Sequence, residues 1–299
     1  MSDSPETDEK RGLSFWPLMG AALTLIFVWG TAFNLIAVGI RYVSPVWLVV
    51  FRCFIGSILV FLYMYVQGKR LPEIADQRWV WYSVLGFIGI TLPFILISTA
   101  QLKIDSGISA ILVAAMPIIT IILAHFFAEE PLSWQKFVGF LIGFIGIVLL
   151  FLPDDFSFNL VDHWEYQLLI LLAALCYAMT TVMAKRAPQT DSVVGAAMML
   201  IAAAVFSGIA GAFEGLPQWP IALPGWLALI GLAVGSTAIG TILYLFVIER
   251  NGPSTLAKIN YFPPVAAVCG GVFFLNEPFT WQIGAAFLVI LFGVVIARS

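Results

Sequence analysis

The side chains that could do chemistry in this chain are few, because ionisable residues are rare inside its long apolar stretches. Arg52 lies about two turns into one stretch, Lys258 about one turn into another, and His125 near the end of a third, four residues before Glu129. A charged group inside a long apolar helix is costly and marks a candidate functional position. Arg52 and Lys258 each have two possible roles. The side chain either takes part in binding or gating, or extends its charged end to the polar boundary of the membrane. For His125, pairing with Glu129 is favoured over proton transfer.

Acidic side chains are missing from the middle of every apolar stretch. The sequence therefore offers no obvious carboxylate for a proton, a sodium ion or an organic cation. Cys53, Cys176 and Cys269 stand alone, His125 and His163 are far apart, and no hydrolase, zinc or phosphate-binding motif is present. We expect no metal, no cofactor and no enzymatic activity, and no basic patch supports nucleic-acid binding.

Scattered polar and amphipathic side chains could together line a small polar cavity, although each alone is more often an interhelical hydrogen bond. Prolines inside the stretches point to the same place, because proline frees a backbone carbonyl that a neighbour or cavity water must satisfy. The predicted binding residues are Asn34, Tyr82, Ser98, Gln101, Tyr177, Thr181, Tyr244, Lys258 and Asn260. The predicted gating or structural residues are Arg52, Pro93, Pro117, His125, Trp164, Pro263 and Pro264. For Trp164, anchoring at the membrane interface is the default, and covering a cavity mouth is the alternative.

The elements that position these residues are predicted to be membrane-spanning helices. Hydrophobic residues make up 61% of the chain and charged residues 10%, more apolar surface than a soluble core can use. About 20 apolar residues in a helix cross the hydrocarbon layer. The pattern predicts an all-α membrane protein with ten spans, at about 16–40, 45–66, 79–101, 106–127, 133–152, 165–185, 192–213, 224–248, 254–275 and 280–297.

Two halves of the chain are copies of each other. The segment 106–150 aligns without a gap to the segment 147 residues later, so that Glu130-Pro131 and Trp134 match Glu277-Pro278 and Trp281. Ten of the Lys and Arg residues near the span ends lie on one side of the membrane and two lie on the other. This excess predicts that both termini are cytoplasmic. Since five spans per half is an odd number, the second half enters from the opposite side. The repeat is therefore predicted to be inverted, which is typical of secondary transporters with a midplane site; duplication that only builds a stable bundle is the alternative.

Several motifs resemble the EamA family of the drug/metabolite transporter superfamily. They are Trp29-Gly30-Thr31-Ala32-Phe33, then Val43-Ser44-Pro45 followed by Arg52, and the two Glu-Pro-x-x-Trp turns. The resemblance covers about residues 16–297 and implies a ten-helix inverted-repeat exporter, similar to bacterial exporters of aromatic amino acids of the YddG type. The second half departs from the motif, because Tyr177 to Thr181 stand opposite the Trp29 segment and nothing replaces Arg52. The small multidrug exporters of the superfamily use a glutamate in their first helix, and this first span has none.

The resulting expectation is an inner-membrane exporter of small metabolites, with aromatic amino acids favoured, that works by alternating access. The alternative is a broader exporter of drugs or nucleoside- or purine-type metabolites. The expected partners are the lipid bilayer and the cargo. Gly139 and Gly143 allow close helix approach, either within one molecule or in a weak homodimer. The predicted divisions are a disordered cytoplasmic tail (1–15), the first repeat (16–152), an outer acidic linker (153–164) and the second repeat (165–299).

Overall fold

The described part of the chain consists of helices and contains no strand. The computed structural model describes residues 15–127, 132–150, 163–217, 219–266 and 281–297. Seven helical segments within these ranges are long and apolar enough to cross a membrane, and the shorter apolar helix Trp134–Leu149 accompanies them. A multi-pass helical membrane protein follows from this. The ten spans remain a prediction, since part of the predicted ninth span lies outside the described residues.

The helices follow the predicted spans closely, but several spans are divided. Span 2 was predicted at 45–66, and the helix occupies Pro45–Val66. The α-helices are α1 Phe15–Gly30, α2 Ala32–Gly39, α3 Pro45–Val66, α4 Arg78–Gly86, α5 Leu92–Ala100, α6 Ser106–Val113, α7 Met116–Phe127, α8 Trp134–Leu150, α9 Trp164–Arg186, α10 Ser192–Glu214, α11 Leu223–Gly231, α12 Gly240–Asn251, α13 Pro253–Ile259 and α14 Trp281–Ile296. Two π-helical segments, π1 Phe87–Thr91 and π2 Leu232–Ile239, join α4 to α5 and α11 to α12.

The ends of α3 and α10 are set by local chemistry. Ser44 caps α3, because its hydroxyl accepts a hydrogen bond from the Trp47 backbone N–H and Pro45 occupies the first helical position, where no N–H is needed. Asp191 caps α10, because its carboxylate accepts from the backbone N–H groups of Val193 and Val194. Gly215 ends α10 with a φ of 86°, in the left-handed region that favours glycine.

The two halves are interrupted at corresponding places. π1 and π2 lie in the predicted third span of each half, and residue 87 shifted by the 147-residue repeat falls at 234, inside π2. The fourth span breaks between α6 and α7, and the ninth breaks between α13 and a helical turn at residues 263–266. Pro93 and Pro117 do not mark the breaks themselves. Pro117 lies in the first turn of α7, where the missing N–H leaves no bond unmade. Pro93 directly follows π1 within the continuous helical segment Arg78–Ala100, so its missing N–H removes a bond to the preceding turn.

Counterpart helices of the two halves pack against each other in antiparallel pairs. α3 and α10 contact at both ends, since Ser44 Oγ donates to Glu214 Oε2 (2.6 Å) at one end and Lys69 Nζ bonds Asp191 (2.8 Å) at the other. α8 and α14 share a more extensive contact than any other two helices within the described ranges. A Cβ on Gly139 would lie 2.5 Å from the Gly293 carbonyl, so the close approach predicted at Gly139 and Gly143 occurs within the molecule.

Candidate functional site

A cavity lies among both halves of the chain, at the level where the spans are interrupted. Its volume is about 150 Å³, counted as the space open to the centre of a water molecule. One water needs about 10–15 Å³ on that measure, so the space suits one small organic molecule or on the order of ten waters. Its aromatic wall residues are Trp29, Phe33, Phe94, Tyr177 and Tyr244, and its polar ones include Arg52, Thr180, Ser236, Thr241 and Asn260.

Arg52 is the only Arg, Lys, Asp or Glu among the lining residues that the structure describes. Its side chain leaves α3 and is 2% exposed. Nε donates to Thr237 Oγ1 (3.0 Å) and Nη2 donates to Ser236 Oγ (2.9 Å), both on π2. The Phe94 ring centroid lies 3.6 Å from Cζ, a cation–π contact. The guanidinium is therefore held along one edge and one flat face.

Two local features of α3 and π2 allow this arrangement. A Cβ on Gly56, one turn after Arg52, would lie 2.9 Å from Thr237 Cγ2, so the glycine lets α3 approach π2 closely. The hydroxyl of Ser236 donates to the Leu232 carbonyl (3.1 Å), which turns its oxygen lone pairs toward Arg52. π-helical segments inside α-helices are frequent at functional sites.

Two cavity tyrosines, Tyr244 and Tyr177, are joined through Thr181 by hydrogen bonds. Tyr244 Oη donates to Thr181 Oγ1 (3.3 Å), and the Thr181 hydroxyl donates to the Tyr177 carbonyl (2.8 Å). Thr181 does not line the cavity itself but orients Tyr244, which does. α9 and α12 are thus connected beside the cavity.

The broken helices of the two halves meet at the cavity through Asn260 and Met116. Asn260 Nδ2 lies 3.6 Å from Met116 Sδ, and both residues line the cavity together with Pro263 and Pro264. Asn260 stands at the end of α13, where the helix stops before the turn at residues 263–266. Its amide oxygen is a neutral acceptor on a residue that lines the same space.

Thr181 and five other predicted binding residues do not line the cavity. Asn34 is exposed and accepts a hydrogen bond from Ser106 Oγ (3.3 Å). Tyr82 is buried, and its hydroxyl lies 3.5 Å from the Pro188 carbonyl. Ser98 in α5 and Gln101 directly after it are buried, and their polar side-chain atoms have no hydrogen-bond partner among the described residues. Lys258 is half-buried in the last turn of α13.

The predicted gating residues are also spread out. Pro93 and Pro117 are buried outside the cavity wall. His125 is exposed at the end of α7, where its Nδ1 accepts from the Leu132 N–H (3.2 Å); its predicted partner Glu129 lies outside the described residues. Trp164 begins α9 and is 60% exposed.

Trp29, Phe94, Ser236 and Thr241 line the cavity although they were not among the predicted site residues. Trp29 belongs to one of the motifs that resemble the EamA family, and that motif could have indicated it as a site residue. Gly240 leaves room for its indole, since a Cβ there would lie 2.9 Å from Trp29 Nε1. Ser236 and Thr241 lie about one helical turn apart in the predicted eighth span. Small hydroxyl residues inside such spans usually form interhelical hydrogen bonds, so they did not indicate a site. No sequence signal marked Phe94.

Apolar clusters pack along the helices on both sides of the cavity. Toward the side of Asp191, Leu25, Val247 and Leu256 join α1, α12 and α13. Toward the side of Ser106, Ala100, Ile104 and Ile170 join α5 and α9. Cys53 and Cys176 are buried and unpaired, and the described residues hold no group of three His, Cys, Asp or Glu suited to a metal.

A bundle of apolar spans with a partly polar cavity between two similar halves defines a multi-pass membrane transporter. Residues 16–152 and 164–299 each match the EamA-like transporter family, and the chain belongs to that family.

Relatives and a solved structure are similar over nearly the whole chain. The uncharacterized inner membrane transporter YedA of Escherichia coli is 27% identical over 94% of this chain and 90% of its own. An uncharacterized transporter of Archaeoglobus fulgidus is 27% identical over 92% and 96%, and the uncharacterized transporter YoaV of Bacillus subtilis is 25% identical over 93% and 95%. One crystal structure matches with a TM-score of 0.77 at 20% identity, over 95% of this chain and 98% of that one, which shows the shared fold.

Proposed function

We propose that the protein exports small metabolites across the inner membrane, with aromatic amino acids as the preferred cargo. The observation that carries this proposal is the cavity among both halves, walled by five aromatic residues and holding one buried guanidinium. Ligand sites are commonly apolar and aromatic, with a few placed polar groups that fix orientation. An amino acid with an aromatic side chain has matching parts: a ring for the wall and a carboxylate for Arg52.

Alternating access between two inverted repeats is the proposed mechanism. The antiparallel packing of α3 with α10 supports inversion, because residue 45 shifted by 147 is 192, so that these helices are repeat counterparts that run in opposite directions. The pair α8 and α14 has the same relation. The apolar cluster that contains Leu25 and the one that contains Ile104 would separate alternately. Each separation would open the cavity to one side of the membrane.

The test is counterflow in proteoliposomes, with labelled phenylalanine outside, unlabelled solutes inside and equal pH on both sides. We expect labelled phenylalanine to accumulate when aromatic amino acids are inside and not when the vesicles lack the protein. No accumulation with any amino acid would contradict the cargo and leave the fold and family unaffected. The largely apolar wall also favours a second candidate, export of drugs or nucleoside-type metabolites. In that case labelled phenylalanine would not accumulate, whereas a labelled nucleoside or drug would accumulate when the same compound is inside.

A further inference from the structure

Arg52 carries a buried positive charge that no carboxylate in the described part of the chain balances. No Asp or Glu of the described residues lies within 4.0 Å of its guanidinium; its bonds go to the neutral hydroxyls of Thr237 and Ser236 and its face to Phe94. An unbalanced charge in a low-dielectric site is energetically costly. A ligand that brings its own negative charge into the cavity would remove most of that cost.

The guanidinium edge that remains has the geometry that a carboxylate requires. An arginine has five N–H donors. The side edge, made of Nε and one hydrogen of Nη2, is used by Thr237 and Ser236. The end edge, made of Nη1 and the second hydrogen of Nη2, has no partner among the described residues. Two parallel N–H donors of this kind bind a carboxylate in bidentate fashion.

The described lining of the cavity offers an ammonium group no carboxylate partner. Its described lining contains no Asp or Glu, and the side-chain acceptors are neutral ones such as Asn260 Oδ1 and the Thr180 and Thr241 hydroxyls. Neutral acceptors can also be supplied by water, so they contribute little selectivity compared with a charged pair. The carboxylate of a bound amino acid would therefore meet the charged Arg52, whereas its ammonium group would meet only neutral groups of the described lining.

We infer that this site selects its cargo by a carboxylate and an aromatic ring, and that the ammonium group is not required. The cargo class thus includes aromatic monocarboxylates that lack an amino group. This inference rests on the proposed transport function and narrows it from amino acids to ring-bearing carboxylates held end-on by Arg52.

Two compounds separate the two charged groups of phenylalanine. 3-Phenylpropionate keeps the ring and the carboxylate, and 2-phenylethylamine keeps the ring and the ammonium. In counterflow with labelled phenylalanine, 3-phenylpropionate should inhibit within about threefold of unlabelled phenylalanine, whereas 2-phenylethylamine should inhibit at least about tenfold more weakly, as expected for loss of a charged hydrogen-bonded pair. Equal inhibition by the two compounds, or stronger inhibition by the amine, would overturn the inference and leave amino-acid export in place.

A binding measurement separates this inference from the transport proposal. Purified protein in detergent should unfold at a higher temperature with 3-phenylpropionate, and Arg52→Gln should lose that shift. Arg52→Lys should retain a reduced shift, because lysine keeps the charge but not the planar fork. Arg41→Gln is the control, since it removes an exposed arginine outside the cavity and should behave as the wild type. Stabilisation by the acid together with absent phenylalanine counterflow would keep the site and discard the amino-acid cargo.

The wild-type comparison stands even if the Arg52 variants fold poorly. If neither compound shifts the unfolding temperature of the wild-type protein and neither inhibits counterflow, the carboxylate site is refuted.

Discussion

At the residue scale, Arg52 and Asp191 illustrate two uses of charge in this protein. Arg52 is buried beside a cavity and is partnered by hydroxyl groups. Asp191 lies at the start of a candidate membrane span, where it caps α10 and bonds Lys69. The first arrangement leaves donors free for a ligand. The second satisfies its charge within the protein, which fits a structural role.

Asp191→Ala should lower the free energy of unfolding by about 1 kcal/mol, the usual value of a lost helix N-cap. The ion pair with the half-exposed Lys69 adds little because solvent screens it. Asp105→Ala is the matched control, since Asp105 precedes α6 without a side-chain capping bond and its loss should cost less. Thermal unfolding of both variants in detergent measures the difference, and equal losses would contradict the capping role.

The contribution of Asp191 should also depend on pH. Burial raises the pKa of its carboxyl, but bonds from Lys69 and from the Val194 and Val193 N–H groups outweigh this, and the pKa lies below its ordinary value. A lowered pKa in the folded protein means that the stabilisation is present above the unfolded value of about 3.9 and is lost as pH falls through the folded pKa. The stability gap between wild type and Asp191→Ala should therefore be constant near neutral pH and close in acid. A gap that widened in acid would contradict this sign.

At the element scale, close helix contacts are made where glycine removes a side chain. α8 and α14 cross at Gly139 and Gly293, and a Cβ on Gly293 would lie 2.5 Å from the Gly139 carbonyl and the Gly143 nitrogen. The neighbouring atoms are backbone, which cannot move aside without moving a helix. The contact therefore depends on these glycines and not on side-chain shape.

Gly139→Ala should destabilise the protein by about 1–3 kcal/mol, the usual cost of overpacking. Gly208→Ala is the control within α10, because a Cβ there has no neighbour within 4 Å. Alanine favours helix more than glycine does, so the control should be neutral or slightly stabilising. Unfolding temperatures in detergent compare the two, and a neutral Gly139→Ala would show that α8 and α14 can separate at little cost.

At the scale of the whole molecule, the chain has two faces, each marked by contacts between its halves. Ser44 and Glu214 meet on one face, and Lys69 and Asp191 meet on the other. The excess of Lys and Arg predicts that the face of Lys69 is cytoplasmic. The orientation in the membrane is a prediction. Because these contacts mark two opposite faces, one residue on each face can be used to test it.

Single cysteines at the two faces should label differently in intact cells. Leu216→Cys, at a residue that is 91% exposed after α10, should react with an impermeant maleimide from outside. Ile74→Cys, at a residue that is 92% exposed between α3 and α4, should react only after permeabilisation. Both substitutions are made with Cys53, Cys176 and Cys269 replaced by alanine, and that background alone is the control. Reversed labelling would invert the predicted orientation, and labelling of both from one side would contradict the two-face arrangement.

The sequence alone determined the class, the family and many helix bounds, because hydropathy, caps and helix breakers act locally. Span 2 shows this, with both ends predicted from Ser44-Pro45 and the glycine at 68. The membrane and EamA predictions are confirmed, while the ten inverted spans and the amino-acid cargo stay predictions.

Tertiary structure decided what the local pattern could not: Arg52 meets Ser236 across 184 residues of sequence, and Gly139 meets Gly293 inside one molecule. Which faces of the helices converge depends on packing over the whole bundle, and hydrophobic residues surround each apolar helix too evenly to indicate its inner side.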